Sequence, residues 1–197
     1  MPFLSATASK TVNGGGGNTG GYLSAGKLAD GESMRFVIMS EEPLEAWTVW
    51  GENAEGQKKP FRFVSEPAPS DIEAELGDFT QRQNYEQTGL EKPKFSVSCF
   101  VYSYESETIK VLEIGQKGLM REIDALSQSE DYENLGEWDM TISRSGVKLN
   151  TEYRLTPAPR RKGFQEKVQA AWTEAQEKGY DLKQLIVGGN PFGESNA

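Results

Sequence analysis

The chemistry this chain can offer comes from cations set among flat rings, with no nucleophile paired to a base. Lys58-Lys59-Pro60-Phe61-Arg62-Phe63 interleaves three cations with two aromatic rings. A second basic stretch runs from Met140 to Gly163, with six cations (Arg144, Lys148, Arg154, Arg160, Arg161, Lys162) against one acid, Glu152. The whole chain carries 21 basic and 30 acidic residues, so this stretch is a local feature of an acidic protein. Cations track phosphates, and exposed rings accept unstacked bases at roughly 1–3 kcal/mol per base, with little dependence on sequence. A net charge of −9 argues against coating nucleic acid on every side, but is compatible with one basic face. The segment from Glu105 to Asp139, with ten acids and three bases, is the opposite pole.

Other chemistries are excluded by absence. With no histidine and one cysteine, the chain cannot build a zinc site of the usual kind, a Ser-His-Asp triad or a Cys-His pair. Carboxylates are abundant, but none has a partner arrangement visible in the sequence, so neither an enzyme nor a cofactor is expected. Cys99 lies in an apolar strand and reads as a buried thiol. The glycines at 14–17 and 20–21 are not a phosphate cradle, because no strand precedes them and the pattern GxxxxGK[ST] is missing. Residues 1–26 therefore read as a disordered Gly/Ser-rich tail. Met1-Pro2-Phe3-Leu4 lacks the basic start and apolar run of a leader, and no run approaches the roughly 20 apolar residues of a membrane helix. The expectation is a soluble, cytoplasmic protein with no membrane partner.

The positioning elements follow from hydrophobic period. Order begins near Tyr22-Leu23. Met34, Phe36 and Ile38 share one face of a strand, and Ala46–Trp50 is a second strand after the break at Ser40–Pro43. Trp47 and Trp50 point to opposite faces, so one of them packs under a loop or meets a ligand. Ser70-Asp71-Ile72-Glu73 is a capping-box pattern for a short helix that stops at Gly77. Asp78–Pro93 is a long polar loop. Phe95, Val97, Cys99 and Val101 line one face of the next strand, and Ser96, Ser98, Phe100, Tyr102 and Tyr104 line the other. That second face reads as a ligand platform or as part of a strand buried on both faces. Ile109–Ile114 returns as its partner. Leu119, Met120, Ile123 and Leu126 predict a helix over 117–128. Trp138, Met140 and Ile142 alternate with polar residues, Ser145-Gly146 turns, and Tyr153 and Leu155 restart the alternation. Phe164, Val168, Ala171, Trp172 and Ala175 stripe a last helix over 164–178, stopped by Gly179.

This order predicts a mainly β fold: an OB-fold-like Greek-key barrel with a helix between strands 3 and 4 and an appended C-terminal helix. The predicted division is a tail over 1–26, the barrel over 27–163, and a helix with a flexible end over 164–197. No βαβ period supports a Rossmann-like sheet.

The series Leu28-Ala29-Asp30-Gly31-Glu32-Ser33-Met34-Arg35-Phe36, Ser40-Glu41-Glu42-Pro43-Leu44-Glu45-Ala46-Trp47, Lys59-Pro60-Phe61-Arg62, Val111-Leu112-Glu113-Ile114, Trp138–Gly146 and Thr151-Glu152-Tyr153 resembles phage-type single-stranded DNA-binding proteins built on one OB fold. The resemblance covers residues 22–162. It implies sequence-independent coating and protection of single strands, DNA or RNA, during phage DNA replication or recombination in an infected bacterial cytoplasm, without catalysis. Some phage helix-destabilising proteins hold a structural zinc, for which this chain has no ligands. Many single-stranded-DNA-binding proteins end in an acidic tail with a terminal Pro-Phe that recruits replication or recombination proteins. Here Pro191-Phe192 lies five residues from the end with little acid nearby, an arrangement that also suits self-association on DNA.

The expected phosphate contacts are Arg35, Lys58, Lys59, Arg62, Lys94, Arg144, Lys148, Arg154, Arg160, Arg161 and Lys162. Trp50, Phe61, Phe63, Phe100, Tyr102 and Tyr153 are the candidate stacking rings. A one-residue slip of strand phase exchanges inward and outward sets. The rival reading is an OB-like protein-interaction module, for example a phage protein that binds a host enzyme through its acidic surface.

Overall fold

The computed structural model describes residues 21–132 and 134–193; the predicted N-terminal tail up to residue 20 lies outside them. The fold is mainly β, with nine strands in one mixed sheet among the described residues. In chain order these are β1 (Tyr22–Ser24), β2 (Ser33–Ile38), β3 (Leu44–Glu52), β4 (Lys58–Phe63), helix α1 (Pro69–Leu76), β5 (Thr80–Gln81), β6 (Lys94–Ser103), β7 (Thr108–Ile114), helix α2 (Lys117–Ser127), β8 (Trp138–Ser145), β9 (Glu152–Pro159) and helix α3 (Gln165–Glu177).

The longest strand, β6, organises the sheet. One edge pairs antiparallel with β7, and the other pairs with β2 at its end and β3 at its start. β2 and β3 thus form one long path interrupted at Met39–Pro43, where Met39 N donates to the Phe100 carbonyl at 2.9 Å. Phe100 N in turn donates to Ser40 Oγ at 2.7 Å, so the side chain of Ser40 satisfies the donor left by the break. β8 pairs with the free edge of β2, β9 pairs with β8, and β1 runs parallel to β7. β4 and β5 extend β3 beyond β6.

Alternation sends each strand's apolar residues to two different cores. On the inner face Met34, Phe36, Val101, Leu112, Met140, Ile142 and Leu155 pack together, with Leu119 of α2 buried among them and Met120, Ile123 and Leu126 along the flank. Glu122 of α2 also accepts the Leu155 N–H at 2.7 Å, which occupies a donor on the outer edge of β9. On the outer face Val37, Phe100, Tyr102, Ile109 and Val111 meet Val168 and Ala175 of α3, then Leu182 and Leu185 of the 3-10 turn that follows. A small third core holds Val49 and Phe61 against Ile72 and Leu76 of α1. Gly51 is required there: a Cβ would lie 2.8–2.9 Å from Phe61, Leu76 and Phe79.

Two local expectations change. α1 begins two residues earlier than the Ser70 box implies, because Ala68 is the N-cap, Pro69 takes the first helical position and Asp71 Oδ2 accepts the Ala68 N–H at 2.9 Å. The segment 180–193 is also no loose end up to its last described residue. Asp181 N donates to the Pro191 carbonyl at 2.9 Å, and the Phe192 ring lies 5.4 Å from Tyr180, 5.5 Å from Tyr22 and 6.4 Å from Phe100. A Cβ at Gly21 would overlap that ring, at 2.1 Å.

Candidate nucleic-acid interface

Arg35, on β2, projects from the outer face beside Asp139 of β8, whose carboxylate is fully buried. Its Nε and Nη2 reach Asp139 Oδ2 at 2.8 and 2.7 Å. The Tyr104 hydroxyl donates to Oδ1 at 2.8 Å, and the Arg161 backbone N–H donates to Oδ2 at 3.1 Å. Arg160 Nε stands 3.0 Å from Oδ1, an ionic contact rather than an aligned hydrogen bond, and its guanidinium donates to the Gly136 carbonyl. One buried carboxylate therefore gathers the end of β9, the end of β6 and β2 into a fixed array. Burial raises the Tyr104 hydroxyl to about 12, helped by the hydrogen bond and charge of Asp139 and opposed by Arg160 and Arg35. It is a proton donor throughout the neutral range.

Aromatic surfaces complete the array. The Arg161 guanidinium lies 5.0 Å from the Phe164 ring centre and 5.9 Å from that of Tyr104, and Arg35 lies 5.4 Å from Tyr104. Tyr104 and Phe164 meet edge to face at 5.0 Å. Lys162 is exposed next in the chain, while Lys167 is offset by Glu107 at 3.2 Å. Arg35, Arg160 and Arg161 thus stand around a single buried carboxylate, and Asp139 leaves an excess of positive charge.

The open sheet beside this array is polar. Register places Ser33, Ser143 and Arg154 in one row, and Arg35, Thr141 and Thr156 in the next. Alternation puts both rows on the outer face, opposite Met34, Ile142 and Leu155 of the inner core. Arg154 and Thr156 are exposed, and Thr141 and Ser143 are half-buried.

The other expected contacts divide sharply. Phe100 and Tyr102 are 3% and 1% exposed beneath α3 and the C-terminal turn, so they are core side chains and not platforms. Of the two readings open for β6, burial on both faces is the one the structure shows. Phe61 is buried in the third core, where Phe63 packs as well, and Tyr153 packs on the inner core. Arg62 is 9% exposed and bound to Glu113 at 2.8 Å, which leaves little of it for a phosphate. Arg144 lies on the opposite face of its hairpin from Arg154, and its guanidinium donates to the Leu28 carbonyl. Lys58, Lys59 and Lys94 are exposed; Lys94 pairs with Glu91, Lys58 lies 3.9 Å from Glu52, and Lys59 Nζ sits 4.9 Å from the Phe61 ring centre. Lys58 and Lys94 share the face of half-buried Trp50, which pairs with Pro60 across the ladder, while Lys59 pairs with Gly51 and lies on the opposite face. Lys148 is exposed at the β8–β9 tip.

Sequence reading missed Asp139, Phe164 and the hydroxyl rows, and left Tyr104 out of the stacking rings. Tyr104 was visible as the last residue of the outward set on its strand. Asp139 carried no signal, since its role depends on three separate segments converging. Tyr85, fully exposed at the tip of the 82–91 loop, was also missed. Asn84 holds that tip: its Oδ1 accepts from Thr88 N at 3.0 Å, and its backbone N donates to the Gly89 carbonyl at 2.8 Å.

No family model matches the chain, and neither a curated protein nor a solved structure matches it.

Proposed function

We propose that this protein binds single-stranded nucleic acid, DNA in the first instance, without sequence preference, along the open half of its outer sheet face. The observation that carries the reading is the Asp139-centred array, which holds Arg35, Arg160 and Arg161 in place beside Tyr104 and Phe164. Arg35, Arg154, Arg161 and Lys162 would meet phosphates, and the hydroxyls of Thr141, Ser143 and Thr156 would donate to phosphate oxygens and sugars. Preset guanidinium groups lose less freedom on binding than free ones. The finer fold assignment belongs to the same proposal. In this reading the β2–β3 path with β6, β7, β8 and β9 would be the five strands of an OB fold, with α2 between the third and fourth and β4–α1–β5 as an insertion after the first. A role in coating strands during phage replication or recombination fits this reading.

The test is titration with a thymine oligomer, followed by anisotropy and tryptophan fluorescence at low and high salt. Binding should weaken by roughly 0.7 log units per log unit of salt for each neutralised phosphate, hence a slope of about −2.8 for four contacts. A matched duplex should bind more weakly. A flat salt response, or binding unchanged when Arg35, Arg154 and Arg161 are reversed to Glu, would sink the proposal.

One observation favours the rival, a protein-interaction module. A groove of about 620 Å³ between α2, the β2–β3 break and β6 has an apolar floor that includes Ile38, Val97 and Met120, and acids Glu41, Glu45 and Asp124 along its lining. Its charge suits a basic, apolar segment.

A further inference from the structure

The tip joining β8 to β9 holds two aliphatic side chains in water on a rigid support. Leu149 is fully exposed and Val147 is 58% exposed, with the cation Lys148 between them. Isolated exposed aliphatics are ordinary. This pair differs because the backbone beneath it is clamped. Gly146 N donates to Asp30 Oδ1 at 2.8 Å, and Gly31 and Arg144 exchange backbone bonds with the neighbouring strand start, Gly31 N to the Arg144 carbonyl and Arg144 N to the Glu32 carbonyl, each at 2.9 Å. Asn150 N closes onto the Val147 carbonyl at 3.1 Å, and Thr151 Oγ1 onto the Lys148 carbonyl at 2.9 Å. Gly146 has a φ of +80°, and a Cβ there would lie 1.9 Å from the Asn150 carbonyl oxygen, so no other residue fits. Lys148 itself sits at φ 54°, a conformation that a side chain bearing a Cβ adopts at an energetic cost.

A loop that accepts this strain to keep two aliphatics outward on a stiff mount has the form of a wedge. Apolar side chains pushed between base steps unstack them, and a cation beside them can hold the adjoining phosphate. We propose that Val147 and Leu149 form an aliphatic wedge that opens the first base step of a duplex at its junction with a single strand, with Lys148 on the flanking phosphate. This inference rests on the single-strand-binding reading and adds an activity to it. The protein would speed strand opening as well as trap strands that open by themselves. At equilibrium, trapping depends only on the relative affinities for the two forms. The wedge therefore shows in a rate.

The experiment uses the full chain and a forked duplex, with a fluorophore and quencher at the fork and 2-aminopurine in the first pair. Wild type is compared with Val147→Thr/Leu149→Ser, and thymine-oligomer affinity is measured in parallel. Both positions are exposed, so the variant should melt with wild type. Expected are an oligomer affinity changed by less than about twofold, a fork-opening rate lowered about tenfold or more, the barrier that one unstacked base step represents, and loss of the 2-aminopurine signal. Equal opening rates would overturn the wedge while leaving single-strand binding intact. A wild type that assembles through this tip, with the variant monomeric, would overturn it in favour of a protein contact. Failure of both proteins to bind the oligomer would remove the underlying reading.

Discussion

The outer face of the sheet has two halves built by the same alternation and put to opposite ends. Over β6 and β7 the outward residues are Phe100, Tyr102, Ile109 and Val111, and α3 with the C-terminal turn seals them into a core. Over β2, β8 and β9 the outward residues are Arg35, Thr141, Ser143, Arg154 and Thr156, which belong to neither the inner nor the outer core cluster. Asp139 stands at the boundary, buried like one half and charged like the other. A single sheet can therefore carry a sealed core on one half of a face and a polar, charged surface on the other, with Asp139 and its arginines paired at the seam.

Perturbations on either side of the seam should separate the two roles. The largest stability effects belong to the covered half and to the seam. Phe100→Ala should cost about 3–5 kcal/mol in a denaturant melt, since it empties the contact with Trp172, Tyr180 and Phe192. Its folded fraction should still bind a thymine oligomer, and a binding loss beyond the loss of folded protein would show that the covered half is also the ligand face. Asp139→Ala should cost a comparable 3–5 kcal/mol or so, because Arg35 and Arg160 lose their carboxylate and the Tyr104 hydroxyl its acceptor. A melting curve like that of wild type would refute the seam.

The open half should respond in binding rather than in stability. Arg35→Glu, Arg154→Glu and Arg161→Glu together should flatten the salt slope by roughly 2, about 0.7 for each lost phosphate contact. Arg154→Ala alone should leave stability within about 0.5 kcal/mol of wild type, the smallest effect of the set. If it unfolds the protein, the open half is structural and the comparison fails.

Alkaline titration sharpens the seam further. Tyr104 goes from 10.0 to about 12 on folding, so the folded state holds its proton more tightly. Its contribution is then complete below about pH 10 and is lost as pH rises through about 12. Burial raises the Cys99 thiol from 9.0 to about 12, with the same sign and an onset nearer pH 9. Stability should fall across that interval, less steeply in Tyr104→Phe. An unchanged slope in that variant would mean that the hydroxyl is not held as described.

Much of this was legible in residue order. Period 2 located β2, β3, β6, β7, β8 and β9 close to their observed bounds, and period 3.6 located α2 and α3, because amphipathic alternation is a local property of the chain. Gly51 and Gly146 are different. Each is forced by a close approach, to Phe61 and Leu76 in one case and to the Asn150 carbonyl in the other, and composition alone gives no sign of it. The candidate site was legible as charge and only partly as geometry. The basic residues after Met140 include Arg154, Arg160, Arg161 and Lys162 of the candidate face, while of the six rings Phe61, Phe100 and Tyr102 are buried in cores. An outward aromatic looks the same in sequence whether solvent or another helix lies above it.

What residue order determined by itself, then, was the set of elements, the inner core and the local excess of cations, since each depends on neighbours within a few residues. Tertiary structure alone decided that α3 covers Phe100 and Tyr102, that Pro191-Phe192 folds back to Tyr22, and that Asp139 collects Arg35, Arg160 and Tyr104. Those contacts join residues as much as 170 positions apart (Phe192 to Tyr22). Their energy depends on burial, which exists only once the sheet, its helices and the C-terminal turn are assembled together.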